Sequence, residues 1–178
     1  MRKVLYIFGL LTDADIDWIA RAGVRRRVEN GETLIEQGKP IDSIILVLEG
    51  RFSVIVKDVG VIARRHAGDL LGEMSIVDST PPSATVVAEG ECRVLSLNKN
   101  ILLQKLATDM AFGCRFYKAV AVFLTDRLRE IEHPVPSDDR EELVAETISK
   151  DEIDDMIVGN VARAAGRFDR MMQILAGT

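Results

Sequence analysis

Residues 30–56 read NGETLIEQGKPIDSIILVLEGRFSVIV, and they alternate β-branched runs with glycine-centred turns. Phe52, Val54 and Val56 fall on one side of such a run, as expected for a strand with one buried face. The same alternation of β-branched runs and glycines continues over residues 24–97, with a glycine at intervals of roughly ten residues. This pattern predicts a mainly β fold with flanking helices, in which an antiparallel β-roll or jelly-roll barrel occupies residues 24–97.

Helices are predicted on both sides of the β region. Thr12 and Asp15 form a helix start, and this helix continues to about Ala22. After the β region, the apolar spacing predicts a short helix over residues 99–107 and a long one over residues 111–132. The long helix carries a broad apolar stripe that must be buried against another surface. The stripe consists of Phe112, Phe116, Ala119, Val120, Phe123, Leu124 and Leu128.

A stretch rich in prolines and acids separates the last helix from the rest of the chain. Residues 1–133 are predicted to form one domain, residues 134–148 a linker and residues 149–178 an amphipathic helix. Ser149 and Glu152 have the spacing of a capping box. The apolar residues of this helix recur like a coiled-coil seam, which packs either on this chain's own domain or on a partner. The seam consists of Ile153, Ile157, Val161, Ala164, Phe168, Met171 and Leu175.

The chain has a net charge of −5, and the excess negative charge lies in its last quarter. Residues 134–178 contain ten acidic and five basic residues, whereas residues 1–133 contain 18 of each. An acidic segment is repelled by a phosphate backbone, and no basic recognition helix follows the long helix, so we expect no DNA binding. No apolar run approaches the ~18 residues that span a membrane. No membrane association and a cytoplasmic location are therefore expected.

The reactive side chains do not form a catalytic or metal-binding pattern. His66 and His133 are far apart, and Cys92 and Cys114 lack the spacing of a metal site or a disulfide framework. Both cysteines are interpreted as small apolar filler, Cys92 in a strand and Cys114 in the long helix. We expect no catalytic residues, no metal ligands and no cofactor, and hence a protein that is not an enzyme.

Residues 72–86, GEMSIVDSTPPSATV, have the features of an anion-binding loop although they contain no lysine or arginine. Gly72 permits close approach of the backbone to a ligand, and Glu73 offers an acceptor for a sugar hydroxyl. Residues 83–85 contribute consecutive N–H groups that can line an anion-binding nest. On these residues alone, a loop that merely crosses one end of the roll is an equal alternative.

The order of the elements is more specific than any one of them. A short helix, about eight strands, the Gly-Glu loop, the SATV strand and the long helix together resemble the cyclic nucleotide-binding domain family. The resemblance covers about residues 4–132. Residues 30–56 are similar to the family's early strands and residues 68–86 to its phosphate-binding cassette. The chain resembles a catabolite activator protein-like sensor domain without a DNA-binding domain.

The resemblance implies a ligand site in the cassette, residues 70–85. Glu73 stands where the family has the acidic residue that binds the ribose 2′-hydroxyl, and Pro82 stands where it has the arginine that binds the cyclic phosphate. A hydrogen bond to a charged group contributes ~1.5–3 kcal/mol, so its loss weakens binding by roughly ten- to a hundredfold. The implied ligand-binding residues are Leu71, Gly72, Glu73, Met74, Ser75, Pro82, Ser83, Ala84 and Thr85.

Other cations can replace the missing arginine if they face the pocket. Arg64, Arg65 and His66 precede the cassette, and Arg127 and Arg129 lie on the long helix. The alternative for each of them is a solvated surface charge.

The resemblance implies a non-catalytic regulatory module that binds a cyclic nucleotide (cAMP or cGMP) or a related phosphate ligand and signals to a protein partner. The alternative is an interaction module that binds no ligand because its pocket is degenerate. Under both hypotheses we expect a homodimer through residues 111–132, residues 151–175 or both.

Overall fold

The structure is a computed structural model that describes residues 8–78, 80–132 and 155–177. Its elements follow the predicted order, with helices before and after the β region. The strands are β1 (Val24–Val28), β2 (Thr33–Ile35), β3 (Ser43–Val56), β4 (Gly60–His66), β5 (Leu70–Leu71) and β6 (Thr85–Asn98). The main helices are α1 (Asp13–Ala22), α2 (Met74–Val77), α3 (Lys99–Thr108), α4 (Met110–Glu132) and α5 (Asp155–Ala176).

The strands pair antiparallel in one six-stranded sheet. The central order is β1-β6-β3-β4, while β2 pairs with β6 and β5 pairs with β3. The sheet curves into a roll that is not closed into a barrel. The predicted antiparallel β-roll with flanking helices is therefore confirmed.

Two of the predicted glycine turns lie inside long strands. β3 and β6 contain 14 residues each and run through Gly50 and Gly90, so that the β region has six strands rather than about eight. At Gly50 the backbone has a φ of +92°, and the β3–β6 register shifts beside it. A Cβ atom at this position would lie 2.9 Å from the Cα of Cys92. The bulge therefore requires glycine.

Buried apolar side chains form a core on each face of the sheet, because successive strand residues point to opposite faces. On the outer face of the sheet, Ile44, Leu46 and Leu95 pack against the helices α1, α3, α4 and α5. The core inside the roll, which includes Cys92 as predicted, consists of Val28, Ile35, Ile45, Val47, Phe52, Leu71, Val86, Ala88, Cys92 and Val94.

Helix α1 begins as predicted and is tied to α4. The Thr12 hydroxyl accepts from the N–H of Asp15 at 3.2 Å, and the Asp15 carboxylate accepts from the N–H of Thr12 at 2.7 Å. The carboxylate also accepts two hydrogen bonds from Arg115 of α4, at 2.7 and 2.9 Å. Burial by itself raises the pKa of Asp15, but the bonds from Arg115 and Thr12 outweigh it and hold the pKa below its usual value.

Helix α4 buries most of the predicted stripe, but the stripe ends earlier than expected because Leu128 is 56% exposed. The opposite side of α4 is also apolar, and we call it the outer seam. The interpretation of Cys114 as small apolar filler is wrong, since Cys114 lies exposed in this seam. The outer seam consists of Met110, Cys114, Tyr117, Ala121 and Leu128, which are exposed, and half-buried Leu124.

The last part of α5 packs on α1. Ala164, Met171 and Leu175 are buried in the core between the helices and the sheet. Phe168 meets Phe8 edge to face, with the ring centroids 5.8 Å apart. The interpretation that this seam packs on the chain's own domain is confirmed for these residues.

Arginine side chains extend the contact between α5 and the start of the chain. Arg167 donates to Asp13 at 2.6 Å and to the carbonyl oxygens of Phe8 and Gly9 at 3.0 and 3.2 Å. A second arginine, at position 170, donates to Asp17 of α1 at 2.6 and 2.8 Å. Apolar burial and ion pairs therefore hold α5 on the same surface.

Some predictions fall outside the described residues. These are the linker over residues 134–148, the capping box of Ser149 and Glu152, and the seam position Ile153. Among the helices that the structure describes, none is long and apolar enough to cross a membrane.

Candidate ligand-binding site

The cassette begins with a sharp backbone turn at the end of β5. Leu71 is buried and pairs with Ile45 of β3, and Gly72 follows with a φ of +80°. A Cβ atom at Gly72 would collide with the side chain of Ile41 and approach the carbonyl oxygen of Ser43 to 3.2 Å. The chain can therefore turn here only with glycine, and the single helical turn α2 comes next.

Ser75 stabilises this turn from within. Its hydroxyl, which is buried, donates to the carbonyl oxygen of Gly72 at 2.7 Å. Met74, one residue earlier, is exposed. The two predicted site residues therefore differ: Ser75 supports the loop, and Met74 is available at its surface.

Glu73 lies under helix α4. The side chain is 1% exposed, and its carboxylate accepts a hydrogen bond from the Nη1 of Arg127. The same guanidinium donates from Nη2 to the carbonyl oxygen of Leu70 at 2.7 Å and lies over the ring of Phe123, 4.3 Å from its centroid. Arg127 therefore joins the long helix to the first residues of the cassette.

The ionisation of Glu73 is opposed by its surroundings. Burial raises the pKa of this carboxyl, and the Arg127 guanidinium offsets the effect only in part. Arg65 also lowers the pKa, and the buried Asp69 raises it further. Two arginines and a second acid thus influence the charge of the Glu73 carboxyl.

The second half of the cassette is anchored by the loop between β2 and β3. The N–H of Gly38 donates to the carbonyl oxygen of Pro82 at 2.9 Å, and the N–H of Gln37 donates to the hydroxyl of Thr85 at 3.1 Å. Within the described residues, the N–H groups of Ser83 and Ala84 have no protein acceptor. These two donors are therefore available to an anion, as the nest hypothesis requires.

The positively charged residues proposed as substitutes for the missing arginine differ in their location and in their partners. Arg64 donates to Glu89 at 3.2 Å on the outside of the roll, whereas Arg65 is half-buried. The alternative of a solvated surface charge is wrong for Arg127, which pairs with Glu73. The side chain of Arg129 lies outside the described part of the chain.

The pairing of Arg127 with Glu73 was not predicted, because the two residues are 54 positions apart. The only local signal is that Arg127 follows Phe123 by four residues, so that both lie on the buried side of α4. A charged residue in register with a buried stripe indicates a buried partner elsewhere in the chain.

A surface cleft of about 440 Å³ lies away from the cassette, between Asp13 and the α5 residues Arg163, Arg167 and Arg170. Most of its charged groups already form ion pairs between α1 and α5. No group of histidine, cysteine and acidic residues that could hold a metal occurs in the described residues.

Residues 25–109 match the family model of the cyclic nucleotide-binding domain. A similar curated protein is the cAMP-dependent protein kinase regulatory subunit of Aspergillus fumigatus, which is 35% identical over 71 residues, or 39% of this chain and 17% of that protein. The chain spans less than a quarter of the length of the first curated relatives that it matches.

Solved structures show the same architecture. A cyclic nucleotide-binding domain from Methylobacillus flagellatus has a TM-score of 0.64 and 26% identity, and the match covers 72% of this chain and 78% of that one. The N-terminal domain of a transcriptional regulator from Streptomyces coelicolor has a TM-score of 0.60 and 25% identity, with 77% and 97% covered. Residues 25–109 of this chain, which include the roll and the cassette, therefore belong to the cyclic nucleotide-binding domain family.

Proposed function

We propose that this chain is a non-catalytic sensor module that binds a cyclic nucleotide, cAMP or cGMP, in its cassette and signals to a protein partner. The contact between Glu73 and Arg127 is the observation that carries this proposal. It connects the residue assigned to the ribose with the long helix that covers the cassette. A change at the ligand is thereby transmitted to α4.

The ribose and the arginine can share the Glu73 carboxylate. A carboxylate has two oxygens with about four acceptor sites, and Arg127 Nη1 occupies one of them. A ribose hydroxyl bound to a remaining site would hold the pair together and strengthen the attachment of α4 to the cassette. Ligand binding then shifts α4 toward its attached state by the difference in affinity between the two states.

The cyclic phosphate would be held by the backbone donors of Ser83 and Ala84. These donors carry no formal charge, and Pro82 supplies neither a charge nor an N–H. We therefore expect a lower affinity than a cassette arginine would give, by roughly ten- to a hundredfold.

Calorimetric titration with cAMP, cGMP and AMP tests the proposal. We expect binding of at least one cyclic nucleotide, a loss of about tenfold or more with Glu73→Gln, and stronger binding with Pro82→Arg. Glu89→Gln is the matched control, because Glu89 is an ion-paired glutamate on the outside of the roll. Binding that is unaffected by both Glu73→Gln and Pro82→Arg would contradict this site.

The second candidate is an interaction module without a ligand. It is favoured by the burial of Glu73, which is 1% exposed and forms an ion pair with Arg127. In that case all three nucleotides would give flat titrations at millimolar concentration, with wild-type protein and with Pro82→Arg.

We also propose that the chain forms a homodimer, through the outer seam of α4 rather than through the predicted stripe. The stripe is buried within the chain, whereas the seam residues recur at steps of three and four along the exposed side. This spacing is that of a helix pair packed side by side, and a second copy of α4 carries the complementary surface.

A further inference from the structure

Neighbouring arginines of β4 lie on opposite faces of the sheet. The register pairs Arg64 with Ser53 and Arg65 with Phe52 of β3. Residues directly opposite each other in an antiparallel pair project to the same face. Phe52 is 0% exposed and belongs to the core inside the roll, together with its other cross-strand partner, Ala88. Arg65 therefore stands on the inner face of the roll.

The outer arginine already has a structural role. Arg64 and Arg51 both pair with Glu89, which also accepts a hydrogen bond from Ser53. This cluster holds β4, β3 and β6 together on the outside of the roll. The inner position needs a different explanation, because Arg65 is half-buried and stands on the same face as buried Phe52, where a positive charge requires anionic groups nearby.

Arg65 acts on an anionic group at the start of the cassette. Its positive charge acts on Glu73 and lowers the pKa of that carboxyl. The acid itself is directed to Arg127, whose Nη1 and Nη2 are engaged by Glu73 and by the carbonyl oxygen of Leu70. Arg127 thus binds the start of the cassette through both terminal nitrogens, and Arg129 is not among the described side chains.

We propose that Arg65 supplies the positive charge for the phosphate of the ligand, in place of the arginine that is absent at Pro82. The inference rests on the proposed function of the cassette and names the residue that gives it anion specificity. A guanidinium has five N–H donors, so that Arg65 can interact with a cassette carboxylate and with a phosphate oxygen at the same time. A charge on β4 therefore performs the task that the family assigns to the cassette loop.

The test compares cAMP with adenosine, which has the ribose and the base but no phosphate. Calorimetric titrations are made with wild-type protein, Arg65→Gln and the control Arg64→Gln, which removes the adjacent charge on the outer face. We expect Arg65→Gln to weaken cAMP binding by about ten- to a hundredfold and to leave adenosine binding unchanged. Arg64→Gln is expected to change neither.

A charge placed at the cassette should rescue the variant. In the double variant Arg65→Gln/Pro82→Arg, cAMP binding is expected to recover to the wild-type level or better. Arg65→Lys, which keeps the charge and loses the planar fork, is expected to fall between wild type and Arg65→Gln. Circular dichroism melts of each variant establish that the fold is retained. If Arg65→Gln does not fold, the cAMP affinity of Arg65→Lys is compared with that of wild type instead.

The outcomes separate this inference from the function on which it rests. If cAMP binds and depends on Glu73 but is unaffected by Arg65→Gln, the inference is overturned and the proposed function stands. If wild-type protein binds adenosine as tightly as cAMP, the phosphate is not recognised and the inference is also overturned. If no nucleotide binds to wild type or to Pro82→Arg, the proposed function fails and the inference fails with it.

Discussion

Two arginine–carboxylate pairs attach α4 to the rest of the domain, and they differ in physical character. Near its start, Arg115 donates two hydrogen bonds to Asp15 of α1, and the pKa of Asp15 is held below its usual value. Near its end, Arg127 pairs with Glu73 of the cassette, where burial raises the pKa of the carboxyl. The surroundings of the first pair stabilise the ionised form of Asp15. The burial at the second pair destabilises the ionised form of Glu73.

Under the proposed function, the difference identifies the end of α4 that responds to a ligand. At the first pair, the bonds from Arg115 and the helix cap together more than compensate the burial of Asp15, which suits a permanent anchor. At the second pair, Arg127 and Arg65 together offset the burial of the Glu73 carboxyl only in part, so a small change in its surroundings shifts the balance. The cassette end is therefore the adjustable end.

The largest expected effect comes from Arg127→Met. This change leaves the Glu73 carboxylate buried without its guanidinium, and removal of one partner of a buried pair costs about 3–5 kcal/mol of unfolding free energy. Urea unfolding at pH 7 measures the loss. In the double variant Arg127→Met/Glu73→Gln the loss should be much smaller, because no buried charge is left. An equal loss in both variants would mean that Arg127 acts by packing on Phe123 instead.

Arg115→Met should cost less, about 1.5 kcal/mol at pH 7, because Asp15 keeps the bonds from the helix cap. The folded-state pKa of Asp15 is below its ordinary value of 3.8, so its contribution is present above that value and is lost as the pH falls through the folded-state pKa. Unfolding curves between neutral and acidic pH should show the variant and wild type converging as the pH falls below 3.8 and through the folded-state pKa of Asp15. A difference that does not change with pH would contradict an ionic role.

Glu73→Gln should show the opposite dependence on pH. Because the folded-state pKa of Glu73 lies above its ordinary value of 4.5, the stabilisation from its protonated form is present at low pH and is lost as the pH rises through the folded-state pKa. Glutamine resembles the protonated acid, and its amide oxygen can still accept a hydrogen bond from Arg127, which is less completely buried than Glu73. We therefore expect the variant to be no less stable than wild type at pH 7, and the two to become equal in acid. A clear destabilisation of Glu73→Gln at pH 7 would mean that the ionised Glu73 stabilises the fold, as Asp15 does, and would contradict the difference between the two pairs.

The smallest effect on folding stability is expected at the outer seam, which carries neither pair. Tyr117→Glu changes an exposed residue, so the unfolding free energy should stay within about 0.5 kcal/mol of wild type. The molar mass from light scattering should instead fall from dimer to monomer, because two like charges would face each other across the seam. Gln104→Glu, an exposed change on α3, is the control. A wild-type protein that is monomeric at high concentration would contradict the proposed dimer.

Local sequence signals predicted the elements of this fold well. The capping residues of α1, the buried face of α4 and the alternating strands depend on neighbours within a few positions of each other. The position of Glu73 in the cassette was also predictable, since the Gly-Glu order matches the family. These signals sufficed because each of them is repeated along the chain or fixed by a short motif.

The remaining features depend on contacts between distant residues. The bulge at Gly50 is set by the close approach of Cys92. From the sequence alone, this glycine was predicted to form a turn between two strands. The partner of Glu73 comes from a helix that starts 37 positions later, at Met110, and periodicity does not indicate which acid a buried arginine will meet. The separation of Arg64 from Arg65 similarly required the strand register.

The docking of α5 on α1 has a consequence for how the chain acquires its structure during synthesis. Arg167 and its partner Asp13 are 154 positions apart, so the ribosome must complete nearly the whole described chain before α1 can be covered. Until then, the apolar surface around Phe8 and Ile16 lacks part of its final packing. Contacts this distant in sequence form late and leave such surfaces exposed to other chains. Helix α1 is synthesised well before α5 but is completely packed only when α5 has formed, so chaperone binding in the nascent chain should concentrate there.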